Sequence, residues 1–184
     1  PVAKQIGAVN TLVRQPDGTL KGYNTDYVAA IEAIETAYEK KTGTPAAEVL
    51  KGKTVVVIGA GGAGKALAFG AKFKGANVVI ANRSVERAQA LADACGGTAV
   101  SLEDLASGKV SGDVLANSTS VGMQPNVDDT PAPAAVLGGF SVVFDAVYTP
   151  LETRLLREAK AAGCEIASGL DMFVGQAARQ FELF

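Results

Sequence analysis

The sequence contains no histidine. Its absence excludes His-based catalytic triads, imidazole metal sites and imidazole as general acid or base, and it leaves any proton transfer to Asp, Glu, Lys, Tyr or Cys. Cysteine is scarce too. Cys95 and Cys164 are the only two, too few for a disulfide framework, and they read as buried thiols of a reducing compartment. Neither sign of charge dominates: 17 basic against 19 acidic side chains leave a net charge of −2, so no basic field calls for nucleic acid or an acidic membrane. No apolar run approaches the length of a membrane span, and no segment reads as a signal peptide. What remains is ordinary globular composition, 48% apolar and 20% charged over 184 residues, enough for one good core or a domain and a half. The chain opens on Pro1 rather than Met, which predicts a piece of a longer or processed chain.

One stretch organises the rest. Thr54-Val55-Val56-Val57-Ile58 is a β-branched run of the kind buried on both faces of a sheet. Gly59-Ala60-Gly61-Gly62-Ala63-Gly64 follows as G-x-G-x-x-G, and Lys65-Ala66-Leu67-Ala68 continues as an apolar helix former. Strand, glycine turn and helix in that order form the context of a dinucleotide-binding fingerprint. Gly59 permits the tight turn, Gly61 lets the backbone approach a pyrophosphate, and Gly64 lets helix and strand pack closely. The helix start offers free N–H groups to the phosphates. The bland alternative is a glycine-rich turn in some other α/β protein. Gly59 to Lys65 also fits G-x-x-x-x-G-K, but the phosphate loop of ATPases needs Ser or Thr next to hold Mg²⁺, and Ala66 stands there.

Ahead of this stretch, Val9 to Arg14 reads as a strand, Gln15-Pro16-Asp17-Gly18 as a turn, and Thr19 to Tyr23 as the hairpin partner. A helix runs from about Tyr27 to Lys40, with Ile31, Ile34 and Tyr38 on one face and Thr25 or Asp26 as its N-cap. Thr42 to Gly52, with Pro45, is a loop. From Lys53 onward strands and helices alternate: strands 54–58, 77–81, 98–101, 114–117, 142–145 and 165–167, with helices 63–74, 85–95, 152–162 and 170–184, a helical turn at 102–106 and a long loop through Pro125, Pro131 and Pro133. That pattern predicts an α/β fold, a doubly wound parallel sheet covered by helices. The reading divides the chain into 1–42, the end of another domain plus a linker helix; 43–168, the nucleotide-binding domain; and 169–184, a helix returning toward the first.

The second strand of the sheet ends in Ala81-Asn82-Arg83-Ser84. NAD enzymes place an Asp or Glu about 20 residues past the glycines to hold the ribose 2′-OH. No carboxylate stands there. Arg83 offers a charge-assisted fork to a 2′-phosphate, Asn82 and Ser84 add neutral donors, and Arg87 follows one helical turn on. This favours NADP over NAD, the alternative being two solvated arginines at a helix start.

Further motifs occur in order: Ile6 to Thr11, Gly22 to Asp26, Asn117-Ser118-Thr119-Ser120-Val121-Gly122-Met123, Asp145-Ala146-Val147-Tyr148, and Gly169 to Gln176. Together with the glycine turn and Asn82-Arg83-Ser84 the sequence resembles shikimate dehydrogenase over essentially its whole length. Its second half is most similar to the plant and algal bifunctional dehydroquinate dehydratase–shikimate dehydrogenase. The resemblance implies reversible reduction of 3-dehydroshikimate to shikimate with NADPH and no metal, in a cleft between a substrate domain and an NADP domain. It implies Asp26 as the catalytic aspartate and Asn10, Tyr148 and Gln176 as substrate ligands. It assigns the pyrophosphate to Gly59, Ala60, Gly61, Gly62 and Ala63, the adenosine phosphate to Asn82, Arg83, Ser84 and Arg87, and the nicotinamide-ribose path to Asn117, Ser118, Thr119, Ala146 and Gly169. Read singly, Asp26 is a helix cap, Asn10 a turn former, Tyr148 a packing residue and Gln176 a surface side chain.

The resemblance also implies what the chain lacks. The family pairs the aspartate with a lysine upstream of the Asn10 motif; Lys4 lies too close to Asn10 to be that residue, and Lys65 belongs to the cofactor helix. The residues that hold the substrate carboxylate, and the dehydratase half, lie outside the chain as well. The expectation is an NADP-binding piece with the tail of a substrate domain, nearly inactive alone, in a plastid if of plant type and in the cytoplasm if bacterial. Quinate dehydrogenase on the same scaffold and a non-catalytic NADP-binding module are the competing readings.

Overall fold

The computed structural model describes residues 2–43 and 48–184; the Pro45 part of the expected loop lies outside them. The chain opens with a short helix, α1 (Val2–Ile6), which sequence patterning does not predict and which buries Ala3 and Ile6. A hairpin follows, β1 (Thr11–Arg14) and β2 (Leu20–Tyr23), antiparallel with Thr11 opposite Tyr23. Gly18 closes its turn at φ 84°. This two-stranded sheet is separate from the main one.

Helix α2 (Asp26–Thr42) buries the expected Ile31, Ile34 and Tyr38. Its start differs from expectation. Thr25 occupies the cap position with helical backbone angles and makes no side-chain cap; its hydroxyl instead accepts from Asn10 Nδ2 at 2.9 Å. Asn24 does the capping, its Oδ1 accepting the Tyr27 N–H at 3.1 Å.

The main sheet has six parallel strands in the order β5-β4-β3-β6-β7-β8: β3 (Thr54–Ile58), β4 (Asn77–Asn82), β5 (Thr98–Ser101), β6 (Val114–Asn117), β7 (Val142–Asp145) and β8 (Glu165–Ala167). This is the doubly wound order, and its reversal point lies between β3 and β6, where such sheets bind ligands. Alternation explains why both faces are apolar. Val55 and Val57 of β3 point into one core with α2, α3 (Gly62–Phe73), α4 (Val85–Cys95) and α8 (Gly169–Leu183). Val56 and Ile58 point into the other with α5 (Leu102–Ala106), α6 (Ala134–Leu137) and α7 (Arg154–Ala161). Each core holds one thiol, Cys95 in the first and Cys164 in the second, both free and buried.

The strand boundaries follow the sequence reading closely; β4 runs one residue further, to Asn82. The long proline-bearing loop contains one short helix, α6, that the sequence reading does not include. Helix α2 packs against α3 and α8 and contributes Ile31, Ile34 and Tyr38 to the same core as Val55 and Val57.

Candidate active site

The glycine turn sits at the reversal point. Gly59 has φ 108°, and a Cβ there would lie 2.5 Å from Ser118 Oγ. A Cβ on Gly64 would lie 2.3 Å from the Gly59 carbonyl oxygen, so the first turn of α3 rests directly on the loop that precedes it. Gly61 is exposed with open space beside it, and α3 begins at Gly62 with N–H groups that have no carbonyl within the helix. That combination, a rigid turn with an open edge at a helix start, fits a phosphate.

The predicted residues converge on three adjoining cavities. The first, about 290 Å³, is lined by Asn82 and Arg83, with Leu102, Thr119, Val121 and Pro131. The second, about 310 Å³, is lined by Ala63, Ser118, Thr119, Ala146 and Tyr148. The third, about 260 Å³, brings together Asn10, Asp26, Tyr148, Gln176, Ala146 and Gly169. Thr119 is common to the first two, and Ala146 and Tyr148 to the last two. Arg87 faces a fourth cavity, of about 500 Å³, with Ala60 and Lys65. Ser84 is the N-cap of α4; its hydroxyl accepts the Arg87 N–H and donates to Glu86, so its proton is already engaged. Asn82 Nδ2 donates to the Ser84 carbonyl at 3.0 Å. Among the described residues neither the Arg83 nor the Arg87 guanidinium forms an ion pair. Asn117, at the end of β6, is fully buried and lines none of the three cavities; it acts on them through Thr119.

Asp26 is half-buried, and burial raises its carboxyl above the ordinary carboxylate range, against the Asn10 hydrogen bond, which lowers it. Asn10 Nδ2 donates to Asp26 Oδ1 at 2.8 Å, while Asn10 Oδ1 accepts the Thr25 N–H at 2.9 Å. The amide is thereby held in one orientation, and the aspartate with it. Gln176 is oriented similarly: its Nε2 donates to the Phe173 carbonyl and its Oε1 accepts from Gln180.

Sequence reading misses three features of these walls. Phe173 stacks on the Tyr148 ring at 4.8 Å, across from α8 to the loop after β7. Gln180 joins Gln176 in the third cavity, one helical turn on, a spacing the sequence displays. Asp145 is fully buried at the end of β7, and burial pushes its carboxyl up to about 6 against hydrogen bonds from Thr153, Val147 and Asn117. Among the described residues no group of three or more His, Cys, Asp or Glu side chains is placed to hold a metal ion.

The comparisons with known proteins bear on this cleft. Residues 41–126 match the family model described as shikimate/quinate 5-dehydrogenase. The whole chain is 57% identical to part of the chloroplastic bifunctional 3-dehydroquinate dehydratase/shikimate dehydrogenase of Arabidopsis thaliana, spanning 32% of that protein. It is 43% identical to the NADP(+) shikimate dehydrogenase of Methanosarcina acetivorans, spanning 65% of it. Among solved structures, the shikimate 5-dehydrogenase of Thermus thermophilus in complex with NADP(H) and shikimate superposes with a TM-score of 0.81 at 41% identity, over 100% of this chain and 64% of that one. The chain thus spans about a third of the bifunctional relative and a little under two thirds of the others. Sequence motifs, strand order and these likenesses agree: over its whole length the chain is similar to shikimate dehydrogenases.

Proposed function

We propose that this chain is the NADP-binding part of an enzyme that interconverts 3-dehydroshikimate and shikimate. On this reading residues 1–42 are the end of the substrate domain with a linker helix, 43–168 bind the nucleotide, and 169–184 return to the substrate side. Its natural location is a plastid, as the Arabidopsis relative is chloroplastic; among the described residues no helix is long and apolar enough to cross a membrane.

The observation that carries the proposal is the sharing of walls. Ala146 and Tyr148 line both the cavity that continues from the glycine turn and the cavity that holds Asp26. A dinucleotide along the sheet edge would end beside the Asp26 carboxylate of the third cavity. The fit to NADP rests on the open edge at Gly61 and on an Arg83 that forms no ion pair among the described residues. When bound, the cofactor supplies the hydride. The chain's own residues do the remainder. Asp26, with a raised carboxyl, holds or moves a proton at the substrate oxygen. Asn10, Tyr148 and Gln176 orient the ring hydroxyls. Gly59 to Ala63 receive the pyrophosphate, Asn82, Arg83 and Arg87 the 2′-phosphate, with Ser84 holding the start of α4 beside it rather than donating its engaged hydroxyl, and Asn117, Ser118, Thr119, Ala146 and Gly169 shape the nicotinamide-ribose end.

Calorimetric titration of the chain with NADP⁺, NAD⁺ and 2′,5′-ADP tests the reading. The expected result is binding of NADP⁺ and 2′,5′-ADP with NAD⁺ at least about tenfold weaker, the worth of one charge-assisted contact. Equal affinities for NADP⁺ and NAD⁺ would overturn the 2′-phosphate assignment.

A further inference from the structure

Asp145 lines none of the three cavities of the cleft, yet its hydrogen bonds lead into the walls of the first two, and it anchors the loop that carries Ala146 and Tyr148 into the third. Its Oδ1 accepts from Asn117 Nδ2 at 2.9 Å and from the Val147 N–H at 3.0 Å. Its Oδ2 accepts the Thr153 hydroxyl at 2.6 Å, and Thr153 in turn caps α7. From Asn117 the chain continues: its Oδ1 accepts the Thr119 N–H at 3.0 Å and the Thr119 hydroxyl at 2.7 Å, and Thr119 Oγ1 accepts the Val121 N–H at 3.2 Å. One buried carboxylate thereby anchors the loop after β6, which carries Ser118 and Thr119, and the loop after β7, which carries Ala146 and Tyr148. Amide N–H donors cannot reverse, so the two bonds at Oδ1 have a fixed sense and tie the loops at a fixed separation.

We infer that Asp145 is a positioning residue whose carboxylate sets the width of the slot between the Ser118–Thr119 loop and the Ala146–Tyr148 loop, and so selects for the nicotinamide half of the dinucleotide. This rests on the proposed binding of NADP in that cleft. Burial of a carboxylate among neutral partners is costly, and a buried aliphatic side chain would fill the same place without that cost; the bonds to two functional loops give the acid its use. The slot is preorganised by Asp145 before any ligand arrives, which is where its effect on affinity comes from.

The test compares two ligands that differ only in the nicotinamide half. In Asp145→Ala, NADP⁺ affinity is expected to fall about tenfold while 2′,5′-ADP affinity stays within about twofold, because Asn82 and Arg83 make no hydrogen bond to Asp145 or Asn117 and keep their place at the end of β4 when the loops are released. Asp145→Asn, which keeps an acceptor at the Oδ1 position, is expected to recover most of the loss. Thr153→Val removes the Oδ2 bond together with the α7 cap and leaves both Oδ1 bonds in place, and is expected to give a smaller, severalfold loss with the same bias toward NADP⁺; it carries the test if Asp145→Ala does not fold. Variants that lose both ligands equally, or neither, overturn the inference while leaving the NADP reading intact. A native chain that binds neither ligand overturns the reading of the cleft, and this inference with it.

Discussion

The two ends of the cleft are built by opposite means. At one end Arg83 and Arg87 are exposed, and neither guanidinium has an ion-pair partner among the described residues. Around Tyr148 the walls hang on buried groups, Asp145, Asn117 and Thr153, none of them more than 0% exposed. The open end has charge that only a ligand can neutralise, so a change there costs affinity and leaves the fold alone. The closed end has its polar groups satisfied internally, so a change there costs stability first.

A Cβ on Gly169 would lie 2.5 Å from both the Ala146 and Val147 carbonyl oxygens, backbone atoms that cannot rotate away. Gly169→Ala is expected to destabilise the chain by about 3 kcal/mol, measured by urea unfolding; a loss under about 1 kcal/mol would mean that the closed end yields like a surface. Asp145 gives an effect of similar size that depends on pH. Its carboxyl is raised from an ordinary 3.8 to about 6, so between these values the folded chain binds more protons than the unfolded one. Its contribution is fully present below about pH 4 and is lost as pH rises through 6, up to about 3 kcal/mol in all. The stability of the native chain relative to Asp145→Asn should therefore fall across that window; a flat or rising difference would remove burial as the dominant influence.

At the open end, Arg83→Ala is expected to weaken NADP⁺ about thirtyfold, roughly 2 kcal/mol, and NAD⁺ by no more than about twofold, with the melting temperature unchanged. Equal weakening of both, or a lowered melting temperature, would show that Arg83 belongs to the fold. Arg87→Ala is the mildest change, about threefold to fivefold on NADP⁺ alone, since Arg87 faces the neighbouring cavity with Lys65. A loss as large as that of Arg83→Ala would place the phosphate between the two arginines.

The open end was also the more legible in sequence. G-x-G-x-x-G, the β-branched run before it and Asn82-Arg83-Ser84 are local signals, and their strand and helix boundaries match the structure to within a residue or two. Alternation of Val55 to Ile58 into two cores follows from period two and the covering helices. The closed end depends on pairs far apart in the chain: Asn117 to Asp145, Asp145 to Thr153, Tyr148 to Phe173. No spacing rule reaches across such separations, and in the motif Asp145-Ala146-Val147-Tyr148 nothing local marks the acid as buried. Helix α1 has five residues, too few for a period, and the cap of α2 falls on Asn24 rather than on the expected Thr25 or Asp26 because the side chains of both are engaged by the distant Asn10.

Cys95 and Cys164 lie in different cores, one on each side of the sheet, and burial raises both thiols above their ordinary range. Each is thus a silent reporter of its own layer. Under mildly denaturing conditions, the rate at which a maleimide reaches Cys95 would time the parting of α4 from the strands, and the rate at Cys164 the lifting of α7. The chain therefore carries native probes for whether its two helical layers come away together or one before the other.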